Sequence, residues 1–363
     1  FFLKIGSFLG VYESLFLMQR KHILAIVLSI CYFTTLTGFL AHPIDPHMSP
    51  SIVYTCGYSY QRLVKDWFPD AIVLPLVYLI NTTSSDLLVY GRFGDCLNLQ
   101  YSVFIAWLES YWRGKILMIN GEGSIGKDIP QNALQIGMTK DNENSVYVPY
   151  LSIVLVFLLP EKMRTFIFNH TLKPRNTGKH FCVYANSHCV NYRQKAARQI
   201  SQINPITIFG QCSGKRGTRI ASRNTTFKQQ ENSVMFRNFR FCLVMENQNY
   251  DGYMSEKIIV AFLAGCIPIY YGTEDIFEIF NPGSFVFYNI SQPSVALNMI
   301  RELEKNETMY LSILRSEKIL RDSEVTEKRF FSLINSIGNG DLKKKIIERL
   351  FSSDAKLRGS RLL

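Results

Sequence analysis

Short apolar runs alternate with segments of helical period along most of the chain. In the first half, four runs have the length and composition of buried strands: Ile52 to Tyr54, Ala71 to Leu74, Asp86 to Tyr90 and Lys115 to Ile119. Tyr101 to Tyr111 carries apolar residues on one helical face. A further apolar run, Tyr147 to Leu159, is too short to span a membrane, and we interpret it as a buried strand or linker.

The second half repeats the pattern. Five runs are typical of buried strands: Phe181 to Ala185, Ile206 to Phe209, Phe241 to Met245, Ile267 to Tyr271 and Phe285 to Tyr288. Helical segments lie between them, including Asn191 to Ile203 and Ser255 to Ala264, and residues 292–350 are mostly helical. Because strands and helices alternate in both halves, the sequence predicts an α/β protein with two doubly wound domains and a cleft between them.

The domain boundaries follow from shifts in composition. A polar stretch with Pro and Lys lies at 161–179, and we take 166–180 as the linker. The first α/β domain then covers 43–165 and the second covers 181–335. Residues 336–363 are expected to form a C-terminal helix and a basic tail, with a solvated basic face.

One segment near the amino terminus is apolar enough to cross a membrane. Residues 23–41 contain no charged side chain, and Arg20 and Lys21 precede them. The positive-inside rule then predicts that 1–42 comprise a cytosolic segment and a signal-anchor helix, with the rest of the chain luminal. A cleaved signal peptide is the alternative. Five Asn-x-Ser/Thr sequons, at Asn81, Asn169, Asn224, Asn289 and Asn306, agree with a luminal location.

Charge and cysteine content narrow the possible partners. The net charge is +11, but the basic residues are spread along the chain, and no zinc-finger or RNP-like motif occurs, so we expect no nucleic-acid partner. The chain has eight cysteines, one of them inside the predicted span, and their pairing cannot be deduced from sequence. We interpret Cys242 and Cys266 as ordinary core residues. No Cys/His cluster has the spacing of metal ligands.

The most informative segment is 239–272. The strand Phe241 to Met245 runs into a polar loop, and an apolar helix follows it. Polar groups therefore gather at the carboxyl end of a strand and the amino end of a helix, where open α/β sheets bind ligands and where anions are favoured. Lys257 adds a full positive charge, so a phosphate or diphosphate is the expected guest. The alternative is an ordinary βαβ unit with a surface lysine.

The same segment resembles the donor-binding signature of the α-1,3-fucosyltransferases, glycosyltransferase family 10. The matching residues are Phe239, Phe241, Glu246, Asn247, Tyr253, Ser255, Glu256, Lys257, Pro268 and Gly272. Residues 85–94, residues 113–122, and residues 180–187 followed by Arg193 resemble further family motifs. The resemblance runs, with gaps, from about residue 52 to about residue 335.

The resemblance implies a fold and a reaction. The expected fold is GT-B-like, with two Rossmann-like domains facing a cleft; the first binds the acceptor and the second the nucleotide sugar. The implied activity is inverting transfer of L-fucose from GDP-fucose to a GlcNAc-containing glycan on a glycoprotein or glycolipid, in an α-1,3 linkage. With the predicted helix 23–41, we expect a single-pass type II protein of the Golgi membrane.

The general base implied by the resemblance is Glu122. It lies just past the strand Lys115 to Ile119, in a loop flanked by Gly121 and Gly123. A carboxylate there can take the proton of the acceptor hydroxyl. Gly123 departs from the asparagine that often follows in the family. An exposed loop glutamate without a catalytic role is the alternative.

The other site residues are assigned to the donor. Lys257 and Arg193 are expected to bind the diphosphate, where an arginine fork can hold two oxygens, although Arg193 could instead be a surface arginine. Glu256 is expected to accept hydrogen bonds from sugar hydroxyls, and Asn247 and Tyr253 to add neutral polar contacts.

Three further residues have supporting or local roles. Glu246 is a candidate to brace Arg193 from outside the ligand contacts, and Tyr250 is a second supporting residue. Ser255 is expected to cap the helix.

No Asp-x-Asp element occurs, so we predict that the reaction needs no metal and no cofactor. Three other functions stay open. The chain could use another nucleotide sugar, bind glycans without turnover, or attach to anionic lipids through its basic tail.

Overall fold

The computed structural model describes residues 50–55, 58–75, 86–91, 112, 114–120, 133–158, 178–186, 189–210, 228–320 and 322–352. The predicted span 23–41, the predicted helix Tyr101 to Tyr111 and the candidate base Glu122 lie outside these ranges. Inside them, no helix combines the length and the apolarity that crossing a membrane requires.

The first half of the described chain contains a six-stranded parallel sheet with strand order β2-β1-β3-β4-β5-β6. Its strands are β1 Ile52–Thr55, β2 Ile72–Pro75, β3 Leu87–Gly91, β4 Lys115–Asn120, β5 Ala133–Gly137 and β6 Ser145–Tyr147. The four strands predicted from apolar runs are confirmed to within one residue at each end. β5 and β6 were not predicted.

The second half holds a five-stranded parallel sheet within the described residues, with strand order β11-β10-β9-β7-β8. Its strands are β7 His180–Ala185, β8 Ile206–Phe209, β9 Phe239–Met245, β10 Ile267–Tyr271 and β11 Val286–Phe287. All five predicted strands are found. Parallel strands are covered on both faces, which explains why they read as continuous apolar runs.

Helices lie between and after the strands of the two sheets. Their bounds are α1 Tyr58–Trp67, α2 Tyr150–Leu158, α3 Asn191–Ser201, α4 Lys228–Phe236, α5 Lys257–Ala264, α6 Pro293–Lys305, α7 Glu307–Arg315, α8 Ser323–Thr326 and α9 Asp341–Ser352. The interpretation of Tyr147 to Leu159 as a buried strand or linker is wrong, because most of this run forms α2. Residues 151–156 of α2 are all buried, so the helix is apolar all round and lacks the one-sided pattern that identifies a helix.

The last helix returns to the first half of the chain. α9 packs against β4 and β5. The ammonium of Lys343 lies 3.1 Å from a carboxylate oxygen of Asp66, and Lys345 forms an ion pair with Asp141. The expected solvated basic face is therefore wrong for Lys343, which is buried. Its stem is covered by protein while its charge meets a carboxylate.

Two cysteines in the second sheet are joined. Cys242 lies in β9 and Cys266 immediately precedes β10, and the two form a disulfide with a Cα–Cα distance of 5.9 Å. The interpretation of both as ordinary core residues is wrong. The strand register places Cys242 beside Pro268, two residues past Cys266, and a sequence does not show which strands are neighbours.

Gly137 marks a close approach of two strands. Its φ is +153°, and a Cβ built there would lie 2.2 Å from the carbonyl oxygen of Asn120 on β4. We expect Gly137→Ala to lower the free energy of unfolding by about 2 kcal/mol or more, because β4 or β5 must move. Thermal unfolding followed by circular dichroism measures the loss.

Gly283→Ala is the matched control. A Cβ at Gly283 would lie 3.3 Å from its nearest neighbour, the side-chain oxygen of Asn281, and needs no backbone shift. Equal unfolding midpoints for the two variants would show that the close approach at Gly137 is not a constraint.

Candidate functional site

A buried carboxylate organises the carboxyl edge of the second sheet. β9 ends at Met245, and the next side chain, Glu246, is fully buried. One of its carboxylate oxygens accepts the backbone N–H of Ser255 at 2.7 Å. The other accepts the Ser255 hydroxyl at 2.7 Å and the Lys257 ammonium at 2.9 Å. A buried charge is tolerated only with such partners, so these contacts fix the loop that joins β9 to α5.

Lys257 begins α5 and brings a positive charge to this edge. Burial lowers the pKa of Lys257, but the carboxylates of Glu246 and Glu256 outweigh burial and raise it above its usual value. The side chain is therefore an ammonium at neutral pH. It keeps 26% of its surface exposed, and its ammonium also donates to the Ser255 hydroxyl at 2.8 Å. The amino end of α5 thus carries a fixed, partly accessible cation.

Arg193 enters from α3 and is held by the same segment. Its side chain is fully buried, so the alternative of a surface arginine is wrong. Its Nε donates to the backbone carbonyl of Glu246 at 3.1 Å, and a second guanidinium nitrogen donates to the side-chain oxygen of Asn247. Glu246 therefore braces Arg193 through its backbone, while its carboxylate holds Lys257. The structure brings together five of the residues singled out from sequence: Arg193, Glu246, Asn247, Ser255 and Lys257.

The expected cap of α5 is wrong. The N-cap position is occupied by Glu256, whose side chain makes no capping bond, and the helix proper starts at Lys257. Ser255 is instead tied to the Glu246 carboxylate. As a cap, the Ser255 oxygen would accept a backbone N–H, but it accepts the Lys257 ammonium at 2.8 Å instead, and a charged donor makes the stronger hydrogen bond.

Two tyrosines of the loop occupy different environments. Tyr253 is buried, whereas Tyr250 is 47% exposed, and their ring centroids lie 6.3 Å apart in an edge-to-face contact. Tyr250 therefore supports Tyr253 and also presents an aromatic face to solvent. Glu256 is half-buried beside them.

Two residues of this site, Tyr192 and Tyr270, were not identified from sequence. The Tyr192 hydroxyl donates to the Glu246 carbonyl at 2.6 Å, and the Tyr270 hydroxyl lies 3.4 Å from the Glu246 carboxylate. A Cβ at Gly272 would lie 2.3 Å from the Tyr270 hydroxyl, so only glycine leaves room for that contact. Tyr192 precedes Arg193 directly, and that pairing was the one available signal.

The carboxyl edges of the two sheets meet at this loop. The backbone N–H of Leu151, in α2, donates to the carbonyl of Met254 at 2.9 Å. The Tyr147 hydroxyl, at the end of β6, lies 3.4 Å from the carbonyl of Gly252. β4 ends at Asn120 on the same edge, paired with Gly137, so the chain enters the segment that holds Glu122 from there.

The second half of the chain is similar to a known family. Residues 174–340 match the profile described as "Glycosyltransferase family 10 (fucosyltransferase) C-term". This part of the chain, hereafter the family 10 region, is similar to glycosyltransferase family 10. The predicted resemblance and the assignment to the glycosyltransferases are confirmed. The family 10 region contains Arg193, Glu246 and Lys257, and thus the whole cluster around the buried carboxylate.

Curated proteins similar to this chain carry fucosyltransferase names. The chain is 23% identical over 204 residues to "Putative fucosyltransferase R654" of Acanthamoeba polyphaga mimivirus, covering 54% of this chain and 32% of that protein. It is 30% identical over 116 residues to "Alpha-(1,3)-fucosyltransferase FucT" of Helicobacter pylori, covering 32% of this chain and 22% of that protein. The chain therefore spans no more than a third of the length of these two relatives.

Solved structures show the same fold. "Crystal Structure of alpha1,3-Fucosyltransferase" superposes with a TM-score of 0.56 at 18% identity, over 87% of this chain and 94% of that one. "Crystal Structure of alpha1,3-Fucosyltransferase with GDP-fucose" superposes with a TM-score of 0.52 at 17% identity, over 85% and 94%. The family 10 region and the sheet before it thus form a GT-B-like arrangement of parallel sheets, as predicted.

The described residues contain no group of three or more His, Cys, Asp or Glu side chains placed to hold a metal ion. The expectation that the reaction needs no metal stays a prediction.

We expect Glu246→Gln to lower the free energy of unfolding at neutral pH by about 3 kcal/mol, since it breaks a buried ion pair. The pKa of Lys257 is raised in the folded state, so the stability that it contributes is complete below about pH 10.4, the pKa of an unfolded lysine. The contribution is lost as the pH rises through the folded pKa. Urea unfolding of both proteins at pH 7 and at pH 11 measures the difference.

Glu274→Gln is the control for Glu246→Gln, because Glu274 is an exposed glutamate close in sequence. It should match the original protein at both pH values. A Glu246→Gln deficit that is equally large at pH 11 would contradict the ion-pair account.

Proposed function

We propose that this chain is an inverting fucosyltransferase that moves L-fucose from GDP-fucose to a GlcNAc-containing glycan in an α-1,3 linkage. The observation that carries the proposal is the buried Glu246 carboxylate, which fixes the Lys257 ammonium at the amino end of α5 inside the family 10 region. A solved α1,3-fucosyltransferase structure of the same fold contains GDP-fucose, which supports this choice of donor.

The positive charge of Lys257 at the carboxyl edge of the second sheet suits a diphosphate leaving group. Negative charge builds on the diphosphate as the sugar departs, and a positive charge already in place stabilises it without reorganisation. Lys257 supplies that charge, and the unpaired N–H groups of the first turn of α5 add to it. Lys257 is the more exposed of the two cations, so it is the first candidate for contact with phosphate.

The remaining donor residues have matching roles in the proposal. Arg193 orients Asn247 and adds positive charge behind it, and Glu256 and Tyr253 bind the hydroxyls of the sugars. Tyr250 and Glu246 support these contacts.

Glu122 is the proposed general base. It follows β4 by two residues, and β4 ends on the edge that meets the β9–α5 loop. A carboxylate opposite the leaving group can take the proton of the acceptor hydroxyl as that oxygen attacks the sugar, which is the geometry of single displacement with inversion.

The acceptor and the location complete the proposal. The first sheet presents the acceptor glycan, and the segment 23–41 anchors the protein in the Golgi membrane with its catalytic part in the lumen. The Cys242–Cys266 disulfide supports an oxidising compartment, since such bonds are rare in the cytosol.

A donor screen tests the donor and the class of activity together. The protein is incubated with a glycan array and, in separate reactions, GDP-fucose, GDP-mannose or a UDP-sugar, and the linkage of the product is read by mass spectrometry and NMR. Fucose transferred in an α-1,3 linkage is the expected result. Transfer from a different nucleotide sugar, or tight glycan binding without turnover, would replace the proposal with one of its alternatives.

Glu122→Gln should reduce kcat by about 10²–10⁴-fold, because the variant cannot accept the hydroxyl proton. The KM for GDP-fucose should change little, since the donor is held by the other sheet. Initial rates at saturating acceptor give both constants. Glu302→Gln, an exposed glutamate on α6, is the matched control and should retain full activity. A Glu122→Gln enzyme with an unchanged kcat would remove Glu122 from the mechanism.

Treatment with EDTA should leave the transfer rate unchanged, because Lys257 and the amino end of α5 take the place of a metal ion in the proposal. Rates are compared before and after dialysis against the chelator. Activity that disappears with EDTA and returns with Mn²⁺ would show that an ion is required.

A further inference from the structure

The backbone N–H and the carbonyl of Gly252 are held from different halves of the chain. Its N–H donates to a carboxylate oxygen of Asp275 at 2.5 Å, and its carbonyl lies 3.4 Å from the hydroxyl of Tyr147, which donates to it. Asp275 belongs to the segment that follows β10, in the second half, whereas Tyr147 ends β6, in the first half. The backbone of one residue in the middle of the β9–α5 loop therefore connects the two halves.

Glycine is required at position 252 for steric reasons. Gly252 has a φ of +76°, and a Cβ there would lie 2.5 Å from the carbonyl oxygen of Met138 and 2.8 Å from the Tyr147 ring. The loop thus approaches the first sheet as closely as a backbone can. A larger residue would push the loop away from both partners.

Thr273 orients the Asp275 side chain for its contact with Gly252. The Thr273 hydroxyl donates to the same carboxylate oxygen at 3.1 Å, and the Asp275 backbone N–H donates to the Thr273 hydroxyl at 3.3 Å. The carboxylate therefore has a fixed direction before the loop meets it. Because the Asp275 carboxylate is charged, its 2.5 Å hydrogen bond with the Gly252 N–H is a strong one.

Gly252 lies between the two ends of the β9–α5 loop, and both ends are also fixed by hydrogen bonds. The first end is fixed where Asn247 meets Arg193, and the second where Ser255 meets Glu246. Gly252 fixes the middle, directly before Tyr253. The position of Tyr253 thus depends on both ends and on Gly252.

We propose that Asp275 and Tyr147 are positioning residues that hold Gly252 and thereby set the affinity of the β9–α5 loop for the nucleotide sugar. This inference rests on the proposed function, because it names residues that control binding at the same site. Neither side chain touches the donor in this proposal. Tyr147 gives the first sheet a direct influence on donor binding in the second.

The test uses three variants of the 363-residue chain and a control. Asp275→Ala removes the acceptor for the Gly252 N–H, Asp275→Asn keeps an oxygen that can accept it, and Tyr147→Phe removes only the hydroxyl while keeping the ring against Phe330. Glu274→Ala is the control, because Glu274 is the exposed neighbour of Asp275. For each protein, kcat and the KM for GDP-fucose are measured, together with the Kd for GDP by calorimetry and the unfolding midpoint.

The expected result is a change in donor affinity alone. Asp275→Ala should raise the KM for GDP-fucose and the Kd for GDP by about 10-fold, and Tyr147→Phe by about 3-fold, with kcat nearly unchanged, as the loss of uniform binding predicts. Asp275→Asn should recover most of the affinity. The Glu274→Ala protein should match the original.

Other outcomes overturn the inference. A lower unfolding midpoint or a lower kcat with unchanged KM and Kd would mean that Asp275 only stabilises the fold. If the KM for GDP-fucose and the Kd for GDP are unchanged in both Asp275→Ala and Tyr147→Phe, the contacts that hold Gly252 do not affect donor binding. If Asp275→Ala fails to fold, Tyr147→Phe decides by the same criteria. An original protein that turns over no GDP-fucose and binds no GDP contradicts the proposed function itself, whereas an active original with unaffected variants contradicts only this inference.

Discussion

The second half of the molecule is organised around one buried negative charge. Moving a carboxylate out of water costs several kcal/mol unless donors replace the water, and Glu246 obtains donors from the Ser255 backbone, the Ser255 hydroxyl and Lys257. These donors follow it in the chain by nine and eleven residues, so the loop must fold back on itself to supply them. The same folding fixes the cation at the amino end of α5. The hydrogen bonds that allow the Glu246 charge to be buried therefore also set the geometry of the site.

The sheets could be predicted from the sequence because parallel strands are covered on both faces. In β4, where every residue is buried, Ile116 to Ile119 form an apolar run between Lys115 and Asn120. β5 and β6 were missed because Gln135 and Ser145 interrupt them, and both side chains are satisfied locally, by Thr139 and by the carbonyl of Lys140. Such short-range hydrogen bonds make a polar residue compatible with a buried strand, but spacing alone does not show them.

The site was predictable in composition and less so in its contacts. The gathering of Glu246, Asn247 and Lys257 at a strand end followed from parallel topology. Which group holds which did not follow, since this depends on distances across the loop. Ser255 has the residue type of a helix cap, yet it serves the carboxylate, and Arg193 meets a backbone carbonyl that no sequence pattern identifies. Side-chain partners at separations of nine to fifty-four residues are set by the fold.

The return of α9 to the first sheet has a consequence for biosynthesis. Leu342, Ile346 and Leu350 of this helix share one apolar core with Leu117, Leu134 and Ile136 of β4 and β5. During translation those strands leave the ribosome some two hundred residues before the helix that covers them. The first sheet therefore keeps part of its apolar surface uncovered until α9 has been synthesised.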